Sequence, residues 1–127
     1  MVETDLINYL LSAPNITSLV GDRIYPMVFP TGCIFPAITV NLISRSPRRD
    51  LSGVQYWYDR FQFSCWDDNV YGSAKKVADA VKQALDDYIG VMGLSNIIDS
   101  VTANEIDLSE PDTGMYHVAV DVIIVHK

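Results

Sequence analysis

The chain has no apolar run approaching the roughly 20 residues of a membrane-spanning helix, and its first residues, with Glu3 and Asp5, lack the basic start of a secretory signal. An intracellular product with no membrane partner is the expectation. Cysteine is scarce. Cys33 and Cys65 have neither CxxC spacing nor a neighbouring histidine, a pattern of reduced core thiols rather than a metal site, with a disulfide between them left open. There is no glycine-rich phosphate loop and no serine or cysteine at a nucleophile elbow with a partnered histidine. His117 and His126 fall on opposite faces of a regular strand, so one chain cannot chelate an ion with both. Asp107, Glu110 and Asp112 miss the spacing of a calcium loop and are interrupted by Pro111, which leaves an acidic turn. The adjacent Asp67 and Asp68 point apart and are expected to cap a helix rather than hold a cation. No catalytic residue, metal ligand or cofactor site is expected.

Cations are also few, and unevenly placed. Of 127 residues, nine are Lys or Arg against 16 Asp or Glu, for a formal net charge of −7. Arg45, Arg48 and Arg49 form one cluster, whereas residues 85–126 hold eight acids and neither lysine nor arginine. Stable nucleic-acid binding needs clustered cations that displace counterions from phosphates, so it is disfavoured here. An acidic wall is still compatible with DNA sliding past it, because repulsion prevents grip.

What is present reads as an ordinary globular domain over residues 1–127, with 49% apolar and 20% charged residues and a length sufficient for its own core. The organising unit is a strand followed by a helix. From residue 57 to 66, Trp57, Phe61, Phe63 and Cys65 alternate with Tyr58, Arg60, Gln62, Ser64 and Trp66, the period of a strand. Then Ala74, Val77, Ala78, Val81, Leu85 and Tyr88 recur at helical spacing. Before this unit, Thr4 is expected to cap a short helix with Leu6, Ile7, Leu10 and Leu11 on its apolar stripe, ended by Pro14. Pro26, Pro30 and Pro36 restrict the next segment to an edge strand or loop. A strand follows over residues 37–44, and residues 45–53 have the composition of a solvated connection in a long antiparallel hairpin. Further strands are expected over residues 97–108 and 115–125, joined by a turn at 110–114. The fold class is α+β: a mostly antiparallel four- to five-stranded sheet with helices packed on one face.

That architecture leaves one face of the sheet to be accounted for. If helices cover the side of Phe61 and Val118, the other side carries Tyr58, Trp66, Ile123 and Val125. Tyr, Trp and Arg are enriched at interface hot spots. Tyr58, Arg60, Trp66 and Ile123 are therefore candidates for a subunit contact, the alternative being that the first helix or the proline-rich segment folds across them.

Several stretches carry a resemblance. Val20-Gly21-Asp22-Arg23-Ile24-Tyr25-Pro26 precedes Pro36-Ala37-Ile38-Thr39-Val40, then Asp50-Leu51-Ser52-Gly53, then Arg60-Phe61-Gln62-Phe63-Ser64-Cys65-Trp66 before an alanine-rich helix. In order and spacing the chain resembles the small tail-completion proteins of long-tailed bacteriophages, which include tail terminators and tail-to-head joining proteins. The resemblance implies a structural virion protein, not an enzyme. It would assemble in the host bacterial cytoplasm, cap the tail tube as a six-membered ring of copies of itself, and present a surface to the head connector while DNA passes through. Arg45, Arg48 and Arg49 would then form a docking loop toward the next subunit or a connector, and Gly21 would permit a tight exit from the first helical region. Two alternatives stand beside the terminator: a head-side neck or adaptor component, and a small-ligand-binding or enzymatic α+β domain with its site in a pocket.

Overall fold

A computed structural model describes residues 1–127, apart from the side chain of Ser109. In chain order the elements are α1 (Val2–Leu11), α2 (Pro14–Val20), β1 (Ile24–Pro26), β2 (Ala37–Asp50), β3 (Gly53–Asp67), α3 (Tyr71–Leu85), β4 (Gly90–Met92), β5 (Ser95–Glu110) and β6 (Met115–His126). The strands form one six-stranded sheet in the order β1-β2-β3-β6-β5-β4. All neighbours are antiparallel except β1, which lies parallel to β2 through Ile24–Ile38, Tyr25–Thr39 and Pro26–Val40. The expected count of four or five strands is therefore corrected to six. The segment expected as an edge strand or loop forms the three-residue edge strand β1, and the strand beyond the expected count is β4, three residues and too short to show a period of its own.

The helices lie on one face. Alternation on β3 and β6 turns Phe61, Phe63, Cys65, Val118, Val120, Val122 and Ile124 toward them, and these merge with Leu6, Leu10, Ile16, Val20, Ala74, Val77, Ala78, Val81 and Leu85 into a single buried cluster. Ala74 and Ala78 are fully buried, and their small side chains allow α3 to sit close over the strands. Tyr88, beyond the end of α3, meets Tyr9 of α1 edge to face at 4.9 Å, and the Tyr9 hydroxyl donates to the Ala84 carbonyl at 3.0 Å. This ties α1 to the end of α3.

Two expected caps are corrected. The N-cap of α3 is Val70 with no side-chain cap; Asp67 instead accepts a hydrogen bond from the Asn69 N–H at 3.3 Å. Thr4 lies inside α1, whose N-cap is Met1, and Pro14 opens α2 at its first turn rather than merely closing α1. Gly21 ends α2 with φ +62°, a conformation that a residue with a Cβ adopts only with strain.

The strands are not perfectly regular, and the irregularities place charge. The β2–β3 register shifts between Leu42 and Ser44, so Ile43 is an extra residue that reverses the alternation beyond it. Arg45 consequently lies opposite Asp59, on the helix side, instead of sharing the open face with Thr39 and Asn41. A second shift between Thr102 and Asn104 brings Glu105 opposite Val120, under α3.

Candidate functional site

The candidate interface residues Tyr58, Arg60, Trp66 and Ile123 all lie on the helix-free face, but they do not form one patch. Tyr58, Arg60 and Ile123 are half-buried and line a shallow concavity of about 190 Å³ with Ser44, Ser46 and Arg48. The Arg48 guanidinium lies 4.3 Å over the Tyr58 ring, a cation–π contact that orders this end of the face. Arg60 is engaged within its own subunit: its Nε and a terminal nitrogen donate to Asp121 Oδ2 at 3.0 and 2.8 Å, while Gln62 donates to Asp121 Oδ1 at 3.3 Å. Val125, expected to be exposed beside them, is buried at 7%.

Trp66 lies eight residues along β3 from Tyr58, about 25 Å away at the rise of a strand. It is half-buried under Phe29 of the proline-rich segment, at 5.3 Å, and stacks on His117 with ring centroids 3.8 Å apart. Its indole N–H donates to Thr39 Oγ1 at 3.0 Å. The proline-rich segment thus covers this end of the face, one of the two alternatives that composition left open. Burial lowers the pKa of His117, so the imidazole is neutral at pH 7, with Nδ1 3.3 Å from Glu110 Oε1.

The cluster Arg45, Arg48 and Arg49, expected on a docking loop, lies on no loop. Strand β2 runs on to Asp50, and β3 begins again at Gly53. Alternation along the strand separates the three. Arg45 turns inward, pairing with Glu3 of α1 and forking onto Asp59 with both contacts at 2.8 Å. Arg48 lies on the open face, and Arg49 is exposed opposite Val54.

Asp59 is the site residue that sequence reasoning missed. It is fully buried, and besides the two Arg45 donors it accepts a hydrogen bond from His126 Nε2 at 2.7 Å. The Asp59 oxygens accept from the Arg45 guanidinium, and His126 Nε2 is a further donor to them. The signal was there: Asp59 shares the parity of Trp57, Phe61 and Phe63, an acid on an apolar face. Its partners come from β2 and β6, and no local pattern joins them.

On the helix side, Glu105 and Asp107 of β5 meet α3. Lys82 and then Lys75 hold the Glu105 carboxyl below its usual 4.5, and Lys75 with the Tyr71 hydroxyl holds Asp107 below 3.8. Lys75 and Lys82 are raised in turn, chiefly by Asp107 and Glu105 respectively. Depressed carboxylates contribute stability that is complete above their unfolded pKa and is lost as pH falls through the folded value. The raised lysines contribute below 10.5 and lose that contribution above their folded pKa. Glu105→Gln should therefore cost about 1 kcal/mol at pH 7, and the difference from the parent should shrink steadily below pH 4.5, read by urea unfolding across that range.

A helix-backed sheet with one part-open face, in which ion pairs brace strands and helices, defines a domain of the α+β class. Residues 4–127 match the family described as Tail completion protein gp17, and the chain belongs to that family of phage structural tail proteins. It is a tail-associated assembly component and not an enzyme. No curated protein sequence matches it. Among solved structures, the fold is similar to a chain in the virion of a native gene transfer agent particle, at 19% identity and a TM-score of 0.78, covering 99% of this chain and 95% of that one.

The stretches that carried the resemblance occupy defined places. Val20 to Pro26 takes the chain from α2 into β1, where Arg23 Nε donates to the Pro36 carbonyl at 3.0 Å. Asp50 to Gly53 is the tip of the β2–β3 hairpin, with Asp50 Oδ1 accepting from the Ser52 N–H at 2.7 Å and from Gln55 Nε2 at 2.9 Å.

Proposed function

We propose that the protein acts as a tail terminator: copies close into a ring, a hexamer, that caps the finished tail tube and joins it to the head connector. The observation that carries this reading is family membership over residues 4–127, joined to a sheet face on which Tyr58, Arg60 and Ile123 have no helix above them. A ring built from identical copies uses two different surfaces of each subunit, and this molecule has dissimilar ends: Arg48 and Arg49 on the β2–β3 hairpin, and cation-free β5 and β6 at the other side of the sheet. The acidic body suits a duct through which DNA passes without being gripped. The partners would be a second copy, the tail tube protein and the connector.

The test is the mass of the purified protein by light scattering across a concentration series, alone and then with isolated tails. A hexamer, or a monomer that becomes a ring on tails, is the expected result. A persistent monomer indifferent to tails would overturn the ring and favour a head-side neck component or a ligand-binding domain.

A further inference from the structure

We propose that the end of the β2–β3 hairpin of one copy docks along the free edge of β5 in the next copy, an inference that rests on the ring reading above and names the two surfaces it would use. Strand β6 pairs with β3 only as far as Trp57, and β1 pairs with β2 only at residues 38–40. Residues 46–56 therefore project as a two-stranded arm, about 15 Å long at the strand rise. Its residues 46–52 are exposed, with Leu51 wholly in solvent at the tip and Val54 and Tyr56 exposed behind it. A two-stranded ribbon is marginal by itself and gains from a surface to lie on.

The matching surface is on the other side of the sheet. Strand β4 covers β5 only at residues 95–97, and residues 86–87 take the backbone groups of Ser100 and Thr102, so among the described residues the outer edge of β5 is without a partner from Ala103 to Glu110. Native edges are protected by proline, lysine, bulges or inward-pointing charges; this one has no proline or lysine, and its bulge at Ala103 and inward Glu105 lie at the start of the uncovered stretch, leaving Ile106 to Leu108 regular. The outer edge of β2 is unlike it, carrying Pro47, Arg48 and Arg49 in succession. Along β5, Val101, Ile106 and Leu108 are exposed on the open face, each 40% or more. They offer apolar contact to Leu51, Val54 and Tyr56.

Charge selects the occupant. Arg48 and Arg49 have no ion pair among the described residues, and neither does the exposed acid Asp112, a few residues beyond Leu108 in the turn after β5. The arm cannot reach β5 of its own chain: β3 and β6 lie between them, and the arm extends away from the free edge. A second copy presents that edge at the opposite side. The contact joins unlike surfaces, so each copy keeps one of the two free for the next, the arrangement that a closing rotation turns into a ring.

The experiment places a photo-crosslinking benzophenone side chain at position 51 in an equal mixture of isotopically light and heavy protein, assembled alone and on tails, with peptides mapped by mass spectrometry. Light-to-heavy cross-links into residues 103–112 are expected. In parallel, Arg48→Glu with Arg49→Glu should raise the apparent dissociation constant for self-association about tenfold, and adding Asp112→Arg in the same chain should restore part of the lost affinity. Cross-links between copies that map elsewhere, or assembly unchanged by the arginine reversals, would overturn the arm contact and leave the ring standing. Failure of the unaltered protein to associate even on tails would overturn both.

Discussion

Asp59→Ala is expected to lower the unfolding free energy by about 3–5 kcal/mol, the cost of breaking a buried ion pair by removing one partner. The Asp59 carboxylate is fully buried and is matched by the two-pronged Arg45 guanidinium and by the His126 Nε2–H. Its removal leaves His126 pointing a donor into a site with no acceptor, and leaves Arg45 held only by Glu3 at the half-exposed end of the group. Arg45 can turn toward water, which limits the damage; His126, the last residue of β6, is held between Trp57 of β3 and Ile97 of β5. Asp59→Asn preserves the shape and one acceptor and should lose less. Urea unfolding followed by circular dichroism measures both, and a loss under 1 kcal/mol for Asp59→Ala would show that the network does not brace β2, β3 and β6.

Phe63→Ala should be comparably severe, about 3–5 kcal/mol, because it removes a fully buried ring at the centre of the helix–sheet interface and leaves a cavity. Phe63 sits between Val40 on β2 and Val120 on β6, beneath α3, so the backbone on all sides is held by sheet pairing and cannot collapse inward. At about 4 °C per kcal/mol, the melting temperature should fall by roughly 12–20 °C. Phe63→Leu retains most of the volume and should cost about 1 kcal/mol. Calorimetry on the three proteins gives the order. Equal losses for Leu and Ala would mean that the tilted ring–ring contact with Phe61, rather than the filled volume, carries the effect.

The elements that were legible beforehand are those whose neighbours in sequence are also their neighbours in function. Residues 57–66 alternate because a strand presents successive side chains to opposite faces, and the residues from Ala74 to Leu85 repeat at helical spacing because one stripe must be buried. From these two elements came the layer arrangement and the identity of the covered face. Helix caps were misjudged because Asp67, Asp68 and Thr4 are good capping residues, but the start of a helix depends on where the preceding strand releases the chain.

The arginine cluster shows where local reading stops. Composition rich in Pro, Asp, Ser and Gly over residues 45–53 describes a loop equally well as a projecting strand pair, and only cross-strand partners distinguish them. Alternation counted forward from Thr39 puts Arg45 on the open face; one extra residue at Ile43 puts it on the other. The same applies to Glu105 past Ala103. A bulge leaves no signature in composition, yet it reverses every side chain beyond it.

By itself, then, the sequence determined the α+β class, the helix-covered side of the sheet, the acidic character that argues against gripping DNA, and the family, since each depends on periodicity, totals or motif order. Tertiary structure decided the six-strand order, the projecting arm, the Arg45–Asp59–His126 network and the cover over Trp66. Those depend on contacts between residues as far apart as Asp59 and His126, whose meeting is set by strand register and burial rather than by anything adjacent in the chain.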